Sequence, residues 1–113
     1  MAATGIRPTK LGWNSGTGMP AAVAIDATDG ALVDFSAADS RILLFLEAAS
    51  AATATIKRGN GLQGIGELVV GVPANGRVCV VLESMKFVDR QGAQRGKLHV
   101  TGAGIKVACV ELP

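Results

Sequence analysis

The sequence is poor in the residues from which active sites and sugar-binding surfaces are usually built. Its 113 residues include no Tyr, one Trp, one His and two Cys, and only 18% of them are charged. One His with two separated Cys is too few ligands for a spaced zinc site, and sugar platforms generally use exposed aromatic rings. The net charge of +2 is too small to indicate nucleic-acid binding. We therefore expect no metal, no cofactor and no nucleic acid.

Long hydrophobic runs are also missing. No apolar run approaches the roughly 20 residues that span a bilayer, and the opening MAATGIRPTKLGW lacks the apolar stretch of a secretory signal. We expect no membrane partner and a reducing compartment, in which thiols stay reduced. Cys79 and Cys109 each lie in an apolar run, which predicts buried free thiols. A bridge between them stays geometrically possible if their strands are neighbours.

The chain does contain a regular pattern of short apolar segments separated by turn residues. A hydrophobic fraction of 49% excludes intrinsic disorder, and the length suits one domain. Gly, Asn and Asp punctuate the segments. The apolar segments between these turn residues predict strands at 21–26, 31–35, 52–57, 66–72, 77–83, 85–88, 96–101 and 104–112. About eight strands at this spacing predict an all-β fold, a single jelly-roll-like β-sandwich.

The segment 36–52 is ambiguous. Its many Ala and Leu residues, and the Ser36 to Asp39 spacing at its start, are compatible with a capped helix. The run RILLFLE at 41–47 is equally typical of a fully buried strand. Periodicity does not separate the two for so short a run. We favour the strand, because every neighbouring element is predicted to be one.

The first twenty residues have no periodicity and many loop-forming residues. We divide the chain into an extended N-terminal arm, 1–20, and a β-sandwich domain, 21–113. The arm nevertheless contains Ile6, Leu11, Trp13 and Met19, which a purely flexible tail would rarely carry. Two interpretations of Trp13 stay open. Its side chain covers one end of the sandwich, or the arm docks on a neighbour with Trp13 and Leu11 as buried anchors.

Two features that resemble catalytic motifs are weak. Residues 59–64 match the pattern G-x-G-x-x-G, but a predicted strand follows them instead of the helix that a dinucleotide site needs. We interpret them as a wide Gly-rich hairpin loop. His99 is predicted to face outward between Lys97 and Thr101, and no G-x-S-x-G elbow marks a nucleophile. We predict that the protein is not an enzyme. An enzyme subunit whose site lies partly on another chain is a less favoured alternative.

The charges are unevenly distributed along the chain. Residues 21–55 carry a balance of −4, whereas residues 56–113 carry +4. Such a split could steer one copy onto the oppositely charged face of another. We favour the simpler interpretation, an ordinary solvated surface whose charges fell unevenly.

The stretch 55–112 carries a family resemblance. It reads TIKRGNGLQGIGELVVGVPANGRVCVVLESMKF, and later GKLHVTGAGIKVACVEL. The loop GxGLQGxGEL, the segment VxVPANGxxxVxLES and the closing GxxVAxVEL strand resemble small head-decoration and other capsid-associated proteins of tailed bacteriophages and prophages. The arm is outside this match.

The resemblance implies a compact β-sandwich that binds the outer surface of a capsid lattice, often as a trimer. The implied partner is the major capsid protein, and the implied location is the virion after synthesis in the host cytoplasm. By analogy with such proteins we expect contacts from the arm and the Gly-rich loop: Ile6, Arg7, Lys10, Leu11, Trp13, Asn60, Leu62 and Gln63. The alternative is a carbohydrate- or receptor-binding module of a phage tail or fibre.

Overall fold

The structure is a computed structural model, which describes residues 3–34, 42–58, 66–81, 87 and 96–113. These residues form ten strands in two sheets packed face to face as a β-sandwich. The strands are β1 (Thr4–Ile6), β2 (Thr9–Lys10), β3 (Val23–Ala24), β4 (Ala31–Asp34), β5 (Ile42–Ala48), β6 (Ala52–Ile56), β7 (Leu68–Val72), β8 (Gly76–Val81), β9 (Lys97–Thr101) and β10 (Ile105–Glu111). The predicted fold class is confirmed.

The first sheet has the strand order β1-β4-β9-β6-β7. Its pairs are antiparallel except for β1 and β4, which run parallel. Along β9, Leu98 and Val100 are buried while Lys97, His99 and Thr101 are only partly covered, as their alternation predicts. The outward position of His99 is therefore confirmed.

The second sheet has the strand order β2-β10-β5-β8, with β3 also paired to β10. The seven residues of β5 alternate between buried and half-buried, and all seven have a partner in β10. The strand interpretation of 41–47 is thus confirmed for 42–47, and the earlier part of 36–52 lies outside the described residues. Apolar burial against the first sheet stabilises β5 more than the helix propensity of Ala and Leu could stabilise a helix.

The core lies between the sheets and is built from small and branched aliphatic side chains. Leu44, Leu46, Ile56, Leu98 and Ile105 are among the largest fully buried ones. Burying such a side chain contributes about 1.5–3 kcal/mol. Among the described residues, no polar or charged residue is buried.

The predicted arm contributes a strand to each sheet. In β1, Ile6 lies opposite Val33 and is buried in the core, and in β2, Thr9 lies opposite Val110. Pro8 and Arg7 connect these two strands from one sheet to the other. The prediction of about eight strands misses these two because segments of three and two residues are too short to show periodicity. The predicted strand 21–26 is shortened to Val23–Ala24.

Two tight turns depend on special backbone positions. Gly30 has a φ of 72°, and its N–H donates to the carbonyl oxygen of Asp26 over 2.8 Å. Between β7 and β8, Asn75 has a φ of 55°, a value that Asn tolerates better than most residues. Of the predicted strand 85–88 the structure describes only Phe87, whose backbone is helical and whose side chain packs against the core.

Candidate interaction surface

Residues 11–22 form a long connection that is fixed at both ends to the same strand. Before it, β2 runs parallel to the end of β10, and the N–H of Leu11 donates to the carbonyl oxygen of Glu111 over 2.9 Å. After it, β3 runs antiparallel to the beginning of β10, with Val23 opposite Val107. We call residues 11–22 the edge loop, because they lie along the edge of the second sheet.

The edge loop exposes two large apolar side chains. Trp13 is 77% exposed and Met19 is 82% exposed. Gly12, Gly16 and Gly18 offer no side chains to bury, and Asn14 has a φ of 54° in a turn. The interpretation in which Trp13 covers one end of the sandwich is therefore wrong. The loop contains too little apolar surface besides these two residues to fold back onto the core.

The predicted contact residues of the arm occupy three different environments. Ile6 is part of the core, so its side chain is not available to a partner in this structure. Leu11 is half-buried, whereas Arg7, Lys10 and Trp13 are exposed. Asn60, Leu62 and Gln63, together with the rest of the Gly-rich loop 59–65, lie outside the described residues.

A row of charged side chains crosses three strands of the second sheet. Lys106 of β10 lies opposite Glu47 of β5, and Glu47 lies opposite Arg77 of β8. The Nε atom of Arg77 lies 3.6 Å from Oε2 of Glu47, a long ion pair, and the Arg77 side chain is 84% exposed. Ala24 of β3 extends the row beyond Lys106. We call these four positions the charged row.

A cavity of about 380 Å³ opens at the charged row. Its lining combines the row with small residues at the strand ends, including Ala49, Gly76 and Gly104. Asn75 also lines the cavity, and its backbone N–H donates to the carbonyl oxygen of Ala49. The edge loop and the cavity are adjacent in sequence, since the loop leads directly into β3, whose Ala24 lines the cavity.

His99 serves to hold a turn. Its Nε2 atom lies 2.9 Å from the carbonyl oxygen of Asp29, so this nitrogen carries the proton that is donated. The bond joins β9 to the turn between Asp26 and Gly30. No hydroxyl or thiol group in the described part of the chain is hydrogen-bonded to the ring, as a nucleophile activated by His would be.

The two cysteines lie on opposite faces of the second sheet. Cys109 pairs with Leu44 and is buried, as predicted, but Cys79 pairs with Phe45 and is exposed. The prediction of a buried thiol is wrong for Cys79. Successive residues of β8 alternate between half-buried and exposed, and Cys79 is at one of the exposed positions. Both thiols are free. Burial, with a smaller contribution from the charge of Asp34, raises the pKa of Cys109 to about 11.

Among residues 3–34, 42–58, 66–81, 87 and 96–113, no three His, Cys, Asp or Glu side chains are grouped so that they could hold a metal ion. Within the same ranges, no helix has the length and apolarity that crossing a bilayer requires.

Comparison with protein-family models, with curated proteins and with solved structures finds no match to this chain. A functional proposal therefore depends on the side chains that the fold exposes. Sequence reasoning missed the charged row, because Glu47, Arg77 and Lys106 are brought together by strand register. Met19 was not among the predicted contact residues. Its position six residues after the only Trp, in the same Gly-rich loop, could have indicated it.

Proposed function

We propose that this β-sandwich is a non-enzymatic structural protein that decorates a phage-type capsid and cements adjacent subunits of the major capsid protein. The observation that carries the proposal is the edge loop, which exposes Trp13 and Met19 while both of its ends are hydrogen-bonded to β10. The resemblance of 55–112 to capsid-associated proteins indicates what kind of partner these side chains contact.

The edge loop has the properties of a binding anchor. Trp is the residue most enriched among those that dominate interface energetics, and Met adapts to irregular apolar surfaces. A connection already fixed at both ends loses less conformational entropy on binding than a free tail of the same length. Insertion of Trp13 and Met19 between two capsid subunits would bury apolar surface that the free protein leaves in water.

The rest of the proposal concerns assembly on the shell. Copies arranged as trimers would engage several capsid subunits at once, so that weak single contacts combine into durable attachment. A low content of charged residues reduces the desolvation cost at such contacts. The protein would be made in the host cytoplasm and then reside on the surface of the virion.

The test uses heads from a phage or prophage in which the gene for this protein has been deleted, so that the heads lack the protein. Purified full-length protein is added back, and the amount that sediments with the heads is measured. We expect saturable binding, with Trp13→Ala and Met19→Ala each weakening it about tenfold or more. Val69→Ala is the control, because Val69 is also exposed but lies in the first sheet. Failure of the unaltered protein to bind heads that lack it, or equal binding by all variants, would overturn the proposal.

The same exposed indole supports one alternative function, a carbohydrate- or receptor-binding module of a tail or fibre. An isolated exposed Trp is a stacking surface for a sugar ring. A glycan array distinguishes the two. A saturable glycan signal that Trp13→Ala abolishes, without binding to heads, would favour the module over the cement protein.

A further inference from the structure

We propose that the cavity at the charged row receives an acidic side chain of the docked protein partner, held between Lys106 and Arg77. Only the nature of this partner rests on the function proposed above. The site itself stands on the strand register, which places Lys106, Glu47 and Arg77 in one line along the cavity wall.

The charges of the row do not balance. Glu47 is the only acid in it, and its long contact with Arg77 leaves Lys106 without an ion-pair partner among the described residues. Two cations beside one carboxylate leave a net positive charge along the cavity wall, and the other residues that line the cavity, such as Ala49, Gly76 and Gly104, are uncharged. A second carboxylate would complete the set, because each cation would then have an oxygen acceptor.

The shape of the cavity favours a carboxylate that belongs to a protein over a free small acid. The Arg77 side chain is largely in solvent, so a free small acid contacts the row from one side only and binds more weakly than a carboxylate on a docked protein. A docked protein would supply the missing wall. Asn75 and the backbone around Gly104 could then contact the partner's main chain.

The position of the cavity supports the same partner as the edge loop. Ala24 lines the cavity, and the adjacent Val23 is an exposed residue of the strand that ends the edge loop. A partner seated on Trp13 and Met19 would therefore extend along β3 to the charged row. We infer that apolar anchoring comes from the loop and that the row adds charge specificity and fixes the register of docking.

The direct test titrates the protein with a blocked glutamate, N-acetylglutamate methylamide, and follows its backbone amide NMR signals. We expect saturable shifts at the amides of Glu47, Gly76, Arg77 and Lys106, and none with the blocked glutamine. Lys106→Gln and Arg77→Gln should each weaken binding about threefold. Arg58→Gln is the matched control, because Arg58 is an exposed base with no ion pair among the described residues.

Glu47→Gln gives a result of the opposite sign. Removing the resident carboxylate frees Arg77 and removes a like charge, so the blocked glutamate should bind about threefold more tightly. A merely structural role for Glu47 would not tighten binding. Weaker or unchanged binding by Glu47→Gln would contradict the arrangement.

A second experiment uses heads that lack the protein. It compares how the unaltered protein and the double variant Lys106→Gln/Arg77→Gln bind to them. We expect weaker, less salt-sensitive binding by the double variant. If heads bind the protein but the blocked glutamate gives no saturable shifts, the inference falls and the proposed function stands. If the blocked glutamate binds at the row but the protein does not bind heads, the proposed function falls and the carboxylate site stands.

Discussion

Gly30 packs so closely against Val100 that a Cβ atom at this position would overlap the carbonyl oxygen of Val100 in the neighbouring strand. Gly30 also has a positive φ and closes the turn that begins at Asp26. Gly30→Ala should therefore lower the free energy of unfolding by about 2–4 kcal/mol, since strain and steric overlap add. Chemical denaturation measures this loss.

Two other glycines separate the causes of that loss. Gly104 has a φ of 74° but open space around its Cβ position, so Gly104→Ala should cost only about 1 kcal/mol. Gly5 has open space and no positive φ, so Gly5→Ala should change stability by less than about 0.5 kcal/mol. Equal losses at Gly30 and Gly104 would show that the contact with Val100 does not restrict the site.

The core between the sheets predicts a contrast between two chemically identical substitutions. Val107 is fully buried, whereas Val69 is 63% exposed on the outer face of β7. Val107→Ala should reduce the free energy of unfolding by about 2–3 kcal/mol through lost apolar burial and a cavity. Val69→Ala should stay within about 0.5 kcal/mol of the unaltered protein. Similar losses for both variants, measured by urea denaturation, would contradict the packing described.

The two thiols should react with an alkylating reagent at very different rates. Cys79 is exposed, whereas Cys109 is buried and its pKa is raised to about 11. Because the thiolate is the reactive form, native protein at pH 8 should take up one label, at Cys79, and a second label only after unfolding. Peptide mass mapping identifies the labelled site. Rapid native labelling of Cys109 would mean that its strand opens readily.

The raised pKa of Cys109 also predicts how stability depends on pH. The unfolded chain loses this proton near pH 9.0 and the folded chain near pH 11, so the folded state holds more protons between these values. Stability therefore falls as pH rises from 9 to 11, by about 2 kcal/mol near pH 10.5, and is unaffected by this group below pH 9. The free energy of unfolding is measured against pH for the unaltered protein and for Cys109→Ala, and the difference between the two slopes is the contribution of the thiol.

Trp13 provides an intrinsic optical probe of the edge loop, because it is the only Trp in the chain. Its exposure predicts fluorescence emission close to that of tryptophan in water and efficient quenching by acrylamide. Trp13→Ala should change the free energy of unfolding by less than about 0.5 kcal/mol. A blue-shifted, protected emission would show that the ring packs on the domain and would remove the basis for its proposed role in binding.

The longer strands could be predicted from the sequence because each carries its pattern locally. The alternation in KLHVT fixes both the extent of β9 and the faces of Leu98 and His99. In contrast, β1, β2 and β3 are defined by partners far along the chain, and two or three residues carry no period. Their pairing with β4 and β10 is a tertiary effect that composition does not encode.

The candidate surfaces divide in the same way. Composition identifies Trp13 as an unusual residue in a Gly-rich loop, but it does not distinguish a ring that covers one end of the sandwich from one that docks on a neighbour. The exposure of the ring excludes the first interpretation. The charged row needs the register of three strands, and a shift of one residue would turn Glu47 inward. Cys79 and Cys109 occupy similar apolar runs, and only the strand register shows that Cys109 faces the core whereas Cys79 faces away from it.

The parallel pairing of β2 with β10 has a consequence for the order in which the chain folds. Residues 9–10 are synthesised long before their partners, Val110 and Glu111. The second sheet therefore cannot be completed on the ribosome until these late residues have emerged. Closing contacts of such large sequence separation is slow. Until then Thr9, Lys10 and the edge loop behind them are unanchored, so the surface proposed for the partner forms as a last step of folding.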